Sequence, residues 1–434
     1  MLPEAFIQRI EEQLGPEAEE FLASLEHPPS TSILKHPTSQ LDYTGDPVPW
    51  NPEGLYLEDR PEYIKDPLLH AGHYYPQEAS SMIVQHLVDR LALPPESLCL
   101  DLCAAPGGKS RNILQAISSK ALLISNEIIK SRRKILDENL IKSGYPNFMT
   151  TSIHPSEWRE VSEMFDLVLV DAPCSGEGMF RKGSVAAEHW SEENVQFCAA
   201  RQGSILEDIS STLRPGGYLI YSTCTYAPQE NIEQIQKCLD LGLEPVQIPL
   251  PLAWGFSAIG DQGNAYQAYP HRVRGEGLFF MVMRRPGGSE RNTASLKPSG
   301  SIPWPIDIPD GYIIEKRDTE FYLMNTRFQN ALEELSHLKG ESPQGHFLGE
   351  EKGGHFIPST FLARSGLLTN PEHVEFDLHQ ALAYLRRETF QLNNEISDGW
   401  YIVRFNKAIL GWMKVAAGKM KNHYPKRWMI RKRW

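Results

Sequence analysis

The apolar positions change period several times along the chain, and each change marks an element. Phe6, Ile7, Ile10 and Leu14 share one helical face and are followed by Phe21 and Leu25. This spacing predicts one helix across the first thirty residues, closed by His27-Pro28-Pro29-Ser30. Residues 30–75 are rich in proline and aromatics and predict short β pieces with no strong period. From there the pattern turns to α/β. Apolar runs at Ser97–Leu102, Ala121–Ser125, Asp166–Val170, Tyr218–Ser222 and Leu278–Met283 predict strands. The run ending at Val170 is continuous, as in a strand buried on both faces. Helical spacing predicts helices at Ser110–Ser118, around Ile135, Leu136, Leu140 and Ile141, at Glu192–Leu213, and after Pro228. Gly107-Gly108 and Pro215-Gly216-Gly217 read as turns between them. Strands alternating with helices predict a doubly wound α/β sheet with its site at the strand ends.

Composition divides the chain further. Residues 286–305 are rich in Gly, Ser and Pro and read as a linker. The expected units are 1–75, the α/β unit 76–285, the linker 286–305, a small mixed region 306–370 and a β-rich module 371–434. A chain of 434 residues is long enough for two or three domains. Its 41% hydrophobic and 23% charged residues are those of a soluble globular protein. No apolar run is long enough to span a membrane, and the acidic first twenty residues do not resemble a secretory signal. Six cysteines at these spacings make neither a disulfide framework nor a zinc site, so reduced thiols in a cytoplasm and no metal are expected. The net charge of −12 argues against wholesale nucleic-acid binding. Its distribution qualifies that, because Arg404–Trp434 contains no Asp or Glu and carries a run of lysines and arginines that could hold phosphates.

The candidate chemistry lies at the strand ends. Cys103-Ala104-Ala105-Pro106-Gly107-Gly108-Lys109 joins a strand to a helix, and its glycines let a ligand approach the main chain. Glu127 follows the second strand, about 20 residues on, where nucleotide-binding folds place an acid on ribose hydroxyls. The loop has no Walker pattern and no G-x-G-x-x-G, so a donor without phosphates, such as S-adenosylmethionine, suits it. Asp171-Ala172-Pro173-Cys174 and Ser222-Thr223-Cys224-Thr225 each place a cysteine after an apolar strand. A thiolate there can add to C6 of a pyrimidine and make C5 nucleophilic, splitting one hard step into two. A free thiol needs a positive neighbour to ionise, and Lys109 is the candidate. Asp171 is placed for an acid or hydrogen bond at N3. Cys99, Cys198 and Cys238 read as small buried hydrophobes.

These motifs resemble the RNA (cytosine-5) methyltransferases of the Sun/NSUN group, in particular the bacterial branch acting on small-subunit ribosomal RNA. The resemblance runs from Ala71-Gly72-His73-Tyr74-Tyr75-Pro76-Gln77-Glu78 through Asp171–Arg181 and Tyr221–Tyr226 with Glu230-Asn231 to Pro270–Phe280. It implies a Rossmann-like S-adenosylmethionine-dependent sheet with small N-terminal and C-terminal α+β/β RNA-binding modules, the last PUA-like. By the same resemblance Cys224 is the nucleophile and Cys174 helps release product; spacing does not choose between them. Residues 103–109, Glu127, Arg132 and Asp171 look like the donor site. Where the family carries an acid after its third strand, this chain has His154. Leu410-Gly411-Trp412 and Lys421-Asn422-His423-Tyr424-Pro425-Lys426 resemble the PUA-like ending, whose aromatics and cations can stack bases and meet phosphates, or can simply form a core.

Rival readings remain at this stage. Transfer RNA competes with ribosomal RNA as substrate. A catalytically silent RNA-binding scaffold is opposed by the intact cysteine pair and favoured only by His154. A DNA cytosine enzyme would leave Cys224 unexplained, and the Asn/Asp-Pro-Pro-Tyr pattern of protein glutamine methyltransferases is absent.

Overall fold

The structure is a computed structural model that describes residues 2–39, 43–182, 187–260, 264–288, 300–341, 345–392 and 396–432. Most of the expected linker 286–305, together with Arg433 and Trp434 of the basic end, lies outside the described residues.

At the centre is a mixed ten-stranded sheet. Its five middle strands, in the order Leu213–Thr223, Phe165–Asp171, Leu98–Asp101, Leu122–Asn126 and Phe148–Ile153, run parallel. Leu278–Arg284 adds antiparallel to Leu213–Thr223, and Ala265–Ala268 and Ser257–Ile259 extend that edge. Helices Gly108–Ala116, Lys130–Ser143, Glu192–Ser210 and Ile232–Asp240 connect and cover the strands. Both faces are therefore buried, which accounts for the continuous apolar runs: Leu98, Leu100, Leu122, Ile124, Leu167, Val168, Leu169 and Val170 are all buried. Each such side chain stabilises the fold by ~1.5–3 kcal/mol relative to exposure. The expected α/β class holds, and the parallel strands all present their carboxyl ends to one edge.

Several expected elements differ. The N-terminal helix is two, Glu4–Leu14 and Ala18–Ser24, because Gly15 takes φ +52° and Pro16 lacks an amide hydrogen. Phe6 and Ile10 of the first and Phe21 of the second still bury into one cluster with Phe180, Trp190 and Tyr226. Pro215-Gly216-Gly217 is not a turn. It is a bulge inside the strand Leu213–Thr223, with pairing stepping from Phe165↔Leu213 to Leu167↔Tyr218 and Gly216 at φ +86°. The preceding helix accordingly stops at Ser210. Within 30–75, the β pieces Thr31–Lys35 and Gly54–Leu57 join Tyr74–Pro76 in a three-stranded antiparallel sheet.

Region 306–370 forms a four-stranded antiparallel sheet over Tyr312–Pro358, yet it does not stand apart. Gly340–Glu341 pairs with Ser152 and Ile153 at the edge of the central sheet, and Leu332 and Leu335 of the helix Gln329–Ser336 enter its core. The last four strands, His373–Glu375, Gly399–Phe405, Ala408–Ala416 and Lys419–Asn422, make a separate sheet. Among the described residues no helix is long and apolar enough to cross a membrane.

Candidate active site

The donor-side loop leaves the strand Leu98–Asp101, and Gly107 at φ +109° turns it into the helix Gly108–Ala116. A side chain at Gly107 would be strained at that angle and would press on Leu136 of the next helix. Asp101 is fully buried beneath the loop, where its Oδ2 accepts from Ser110 Oγ at 2.6 Å. Burial pushes its carboxyl up to about 7. Glu127 ends the neighbouring strand. Its Oε1 accepts from the Ile129 amide at 2.9 Å, and Arg132 lies 3.3 Å from its Oε2. Arg132 also donates to the Ala105 carbonyl at 2.8 Å, and Asn139 donates to that of Pro106 at 2.8 Å. The loop is thus held from outside, leaving the carboxylates of Glu127 and Asp171 along the strand ends. A donor bearing ribose hydroxyls and a positive sulfonium suits such acidic groups. Burial and the nearby carboxylates push the Cys103 thiol well up.

The two signature cysteines arise on adjacent parallel strands. Asp171 pairs with Ser222, and the Ala172 amide donates to Ser222 O at 2.8 Å, so the chains leave the sheet side by side. Cys174 Sγ and Cys224 Sγ lie 3.3 Å apart, within hydrogen-bond reach, both half-buried. The Gly178 amide donates to Cys224 O at 2.7 Å and closes the Cys174 loop over the second cysteine. Lys109 Nζ stands 2.8 Å from Asp171 Oδ2, while Ser222 Oγ donates to Asp171 Oδ1 at 2.8 Å. Both carboxylate oxygens of Asp171 are therefore engaged.

The thiols are electrostatically unequal. Hydrogen bonding from Cys174 and the charge of Lys109 hold the Cys224 thiol below the usual range, against burial and Asp171. The Cys174 thiol is raised by its bond to Cys224, by burial and by Glu230. Lys109 in turn stays cationic despite burial because Asp171 and the Cys224 sulfur face it. Lys109, the candidate positive neighbour, is ion-paired with Asp171 and its charge also acts on the Cys224 thiol.

Sequence reasoning assigned no role to several residues here. Glu230, six positions after Cys224, accepts from the Ser175 amide at 2.9 Å and from Gln202 Nε2 at 2.8 Å. Ser175 Oγ also donates to Glu230 and lies 2.9 Å from Thr225 Oγ1. Glu177, fully buried, pairs with Arg9 at 2.7 Å and accepts from Trp190 Nε1 and the Tyr226 amide, tying the N-terminal helix to the site. Glu177 and Glu230 lie in the quoted motifs, but only the fold shows what they hold.

His154 is exposed and caps its own turn, its Nδ1 facing Ser156; no described contact joins it to the loop or to Glu127. Among the described residues no cluster of three or more His, Cys, Asp or Glu could hold a metal. At the C-terminal end the core alternative holds for two of the aromatics. Trp412 and Tyr424 are buried, the first against Trp304 and the second against Tyr384 and Trp428, so neither can stack on a base. Half-buried Trp400, beside His423 and under the Lys414 ammonium, keeps a partly open face instead.

Comparison with known proteins adds to this geometry. The family model of the 16S rRNA methyltransferase RsmB/F matches residues 88–284. The N-terminal domain of 16S rRNA methyltransferase RsmF matches 2–79, and the methyltransferase RsmF PUA domain matches 371–430. The ribosomal RNA small subunit methyltransferase F of Aeromonas hydrophila is 30% identical over 85% of this chain and 74% of its own. That of Vibrio vulnificus is 29% identical over 98% and 97%. Among solved structures, a methyltransferase homolog from Pyrococcus horikoshii superposes with a TM-score of 0.57 at 26% identity, covering 65% of this chain and 95% of its own. NSun6 from the same organism shares the fold at 19% identity, a TM-score of 0.56 and coverage of 65% and 98%.

Proposed function

Because this chain belongs to the RsmB/F family of 16S rRNA methyltransferases, we propose that it methylates C5 of cytosine in RNA, with small-subunit ribosomal RNA as substrate. The observation that carries the reading is the pair of thiols 3.3 Å apart at the ends of adjacent parallel strands, with Lys109 beside Cys224. Cys224 Sγ, as thiolate, adds to C6 of the ring; C5 then becomes the nucleophile. Residues 103–109, Glu127 and Asp171 would hold S-adenosylmethionine, whose sulfonium would supply the methyl group to C5. Arg132 supports this site by holding Glu127 and the Ala105 carbonyl. Asp171 stands at the strand end beside the thiols, where a proton donated to N3 of the ring draws off electron density and eases addition; the carboxylate engaged by Lys109 and Ser222 must first take up that proton. Water takes the C5 proton, the C–H electron pair re-forms the C5–C6 double bond, and Cys224 Sγ leaves C6 as a thiolate with Cys174 beside it. Cys174 and Lys109 leave the leaving thiolate both a hydrogen bond and a counter-charge. Unstacking the target base costs a few kcal/mol, which favours a loop or open single strand over a perfect duplex.

Cys174→Ala, expressed in cells, is expected to accumulate a covalent, ribonuclease-sensitive protein–RNA adduct whose RNA can be sequenced. Cys224→Ser is expected to abolish methyl transfer while S-adenosylmethionine binding stays intact. An adduct on transfer RNA would move the substrate assignment. Donor binding by the wild type, with neither adduct nor turnover on any RNA, would favour a silent scaffold.

A further inference from the structure

We propose that Glu230 is a positioning residue for the cysteine pair: its carboxylate fixes the Cys174 loop against the Cys224 loop and holds the shared proton on Cys174, leaving Cys224 as the thiolate. The inference rests on the reading of Cys224 as nucleophile and adds what selects it.

Glu230 is fully buried, yet among the described residues it has no ion-pair partner. Burial pushes its carboxyl up, and the hydrogen bonds from Ser175 and Gln202 oppose that rise and favour the carboxylate. Oε2 accepts from the Ser175 amide and from Gln202 Nε2, and Oε1 accepts from Ser175 Oγ. Gln202 Nε2 also donates to Pro173 O at 3.0 Å, and Ser175 Oγ meets Thr225 Oγ1, so one carboxylate braces residues 173–175 on one side and 225 on the other. Its own backbone is pinned by Tyr221, whose hydroxyl donates to Glu230 O at 2.8 Å.

A buried carboxylate with no counter-ion projects its field onto whatever is near. The residue it grips is Ser175, next to Cys174. Lys109 acts on Cys224 from the other side. Asp171 and Glu230 oppose Lys109 at Cys224, so what separates the two thiols is the grip on Ser175 beside Cys174 together with the hydrogen bond that Cys174 gives to Cys224, and the one proton the pair shares belongs on Cys174. The other charged or titratable groups facing this region are Asp171 and Glu177 on the Cys174 segment, Cys198 and Arg201 on the helix Glu192–Ser210, and Tyr221 on the strand. None of them is exchanged in the test below, so they remain constant. A group that merely capped a loop could be replaced by a glutamine of the same shape without moving the proton.

The test is iodoacetamide alkylation of the full chain as a function of pH, resolved for each cysteine by mass spectrometry. It needs neither RNA nor donor. In the wild type Cys224 is expected to alkylate faster than Cys174; the reverse order would sink the nucleophile assignment itself. In Glu230→Gln the Cys224 to Cys174 rate ratio is expected to fall by about tenfold, the effect of one unit in relative thiol pKa. An unchanged ratio in a variant that still melts cooperatively overturns the proposal. If Glu230→Gln does not fold, Ser175→Ala takes its place, removing only the hydroxyl that joins Glu230 to Thr225. A smaller fall in the same direction supports the proposal and an unchanged ratio overturns it.

Discussion

Gly178→Ala isolates the geometry of the nucleophile from its chemistry. Gly178 has no side chain of its own to take part in the chemistry, but a methyl group there would lie 2.7 Å from Cys224 O and 2.9 Å from Gly277 O. Ordinary carbon–oxygen contact begins near 3.4 Å, and both obstacles are backbone, so neither can swing aside. The Cys174 loop must therefore back away from Cys224 by roughly half an ångström or more, and the 2.7 Å bond from the Gly178 amide to Cys224 O lengthens or breaks. Overpacking of this kind costs about 1–3 kcal/mol of stability. The same shift opens the 3.3 Å sulfur–sulfur approach. A misplacement near 1 Å in a catalytic constellation costs on the order of a hundredfold, so kcat is expected to fall by ~10–100-fold, equivalent to ~1.4–2.7 kcal/mol in the barrier. The assay is transfer of a tritiated methyl group to RNA at saturating donor, with donor affinity by calorimetry and melting by circular dichroism. Donor affinity should be unchanged, because the 103–109 loop is not displaced. A kcat within twofold of wild type would refute the claim that the closure of residues 174–178 over Cys224 sets the reactive geometry.

Three further outcomes are expected. His154→Asp should leave S-adenosylmethionine affinity unchanged or tighter, since the exposed imidazole gives the donor side no contact to lose; clearly weaker binding by calorimetry would show that His154 already serves the donor. His70 and His346 are buried and held neutral, with pKa values pushed down to about 4, below the unfolded value. Their neutral forms therefore stabilise the fold above about pH 6.5, and that stabilisation is lost as pH falls through 4. The urea midpoint should drop from pH 7 to pH 5, and drop less in the double variant His70→Gln/His346→Gln; an equal drop would place the acid sensitivity elsewhere. Lys414→Glu should weaken RNA binding and reduce the salt slope by about one, because the Lys414 ammonium stands over the half-buried Trp400 ring in the basic end of the chain; an identical slope would return that pair to a purely structural role.

The parts of this molecule legible in sequence were those governed by local period and by turn chemistry. Strands buried on both faces read as apolar runs, and the loop 103–109 announced itself through paired glycines. Features decided by distant contacts were not legible. Pro215-Gly216-Gly217 has the composition of a turn, but hydrogen bonding to Phe165–Asp171 on one side and Leu278–Arg284 on the other holds the chain in the sheet and turns the excess residues into a bulge. The aromatics of the C-terminal module look alike as letters. Trp412 becomes core because it meets Trp304, more than a hundred residues earlier, while Trp400 on the neighbouring strand stays partly open. Region 306–370 reads as a unit of its own, yet its strand Gly340–Glu341 finds a free edge at Ile153 and closes the central sheet there.

The same division runs through the site. Two cysteines after two strands specify a thiol pair, and no local rule says which of them carries the negative charge. That choice depends on a field, and its sources lie far apart in sequence. Lys109 comes from the first helix after the donor loop, while Glu230 is anchored by Ser175 and by Gln202 of another helix. Only the parallel pairing of Phe165–Asp171 with Leu98–Asp101 and Leu213–Thr223 brings these ends to one edge. A sequence that kept both cysteines but lost Lys109 or Glu230 would preserve the signature while weakening the asymmetry that makes one sulfur the attacking group and the other its hydrogen-bond donor. On the proposed mechanism the identity of the nucleophile is a property of the assembled sheet edge, and substitutions at 109 and 230 are expected to move it further than any conservative change in the residues flanking Cys174 or Cys224.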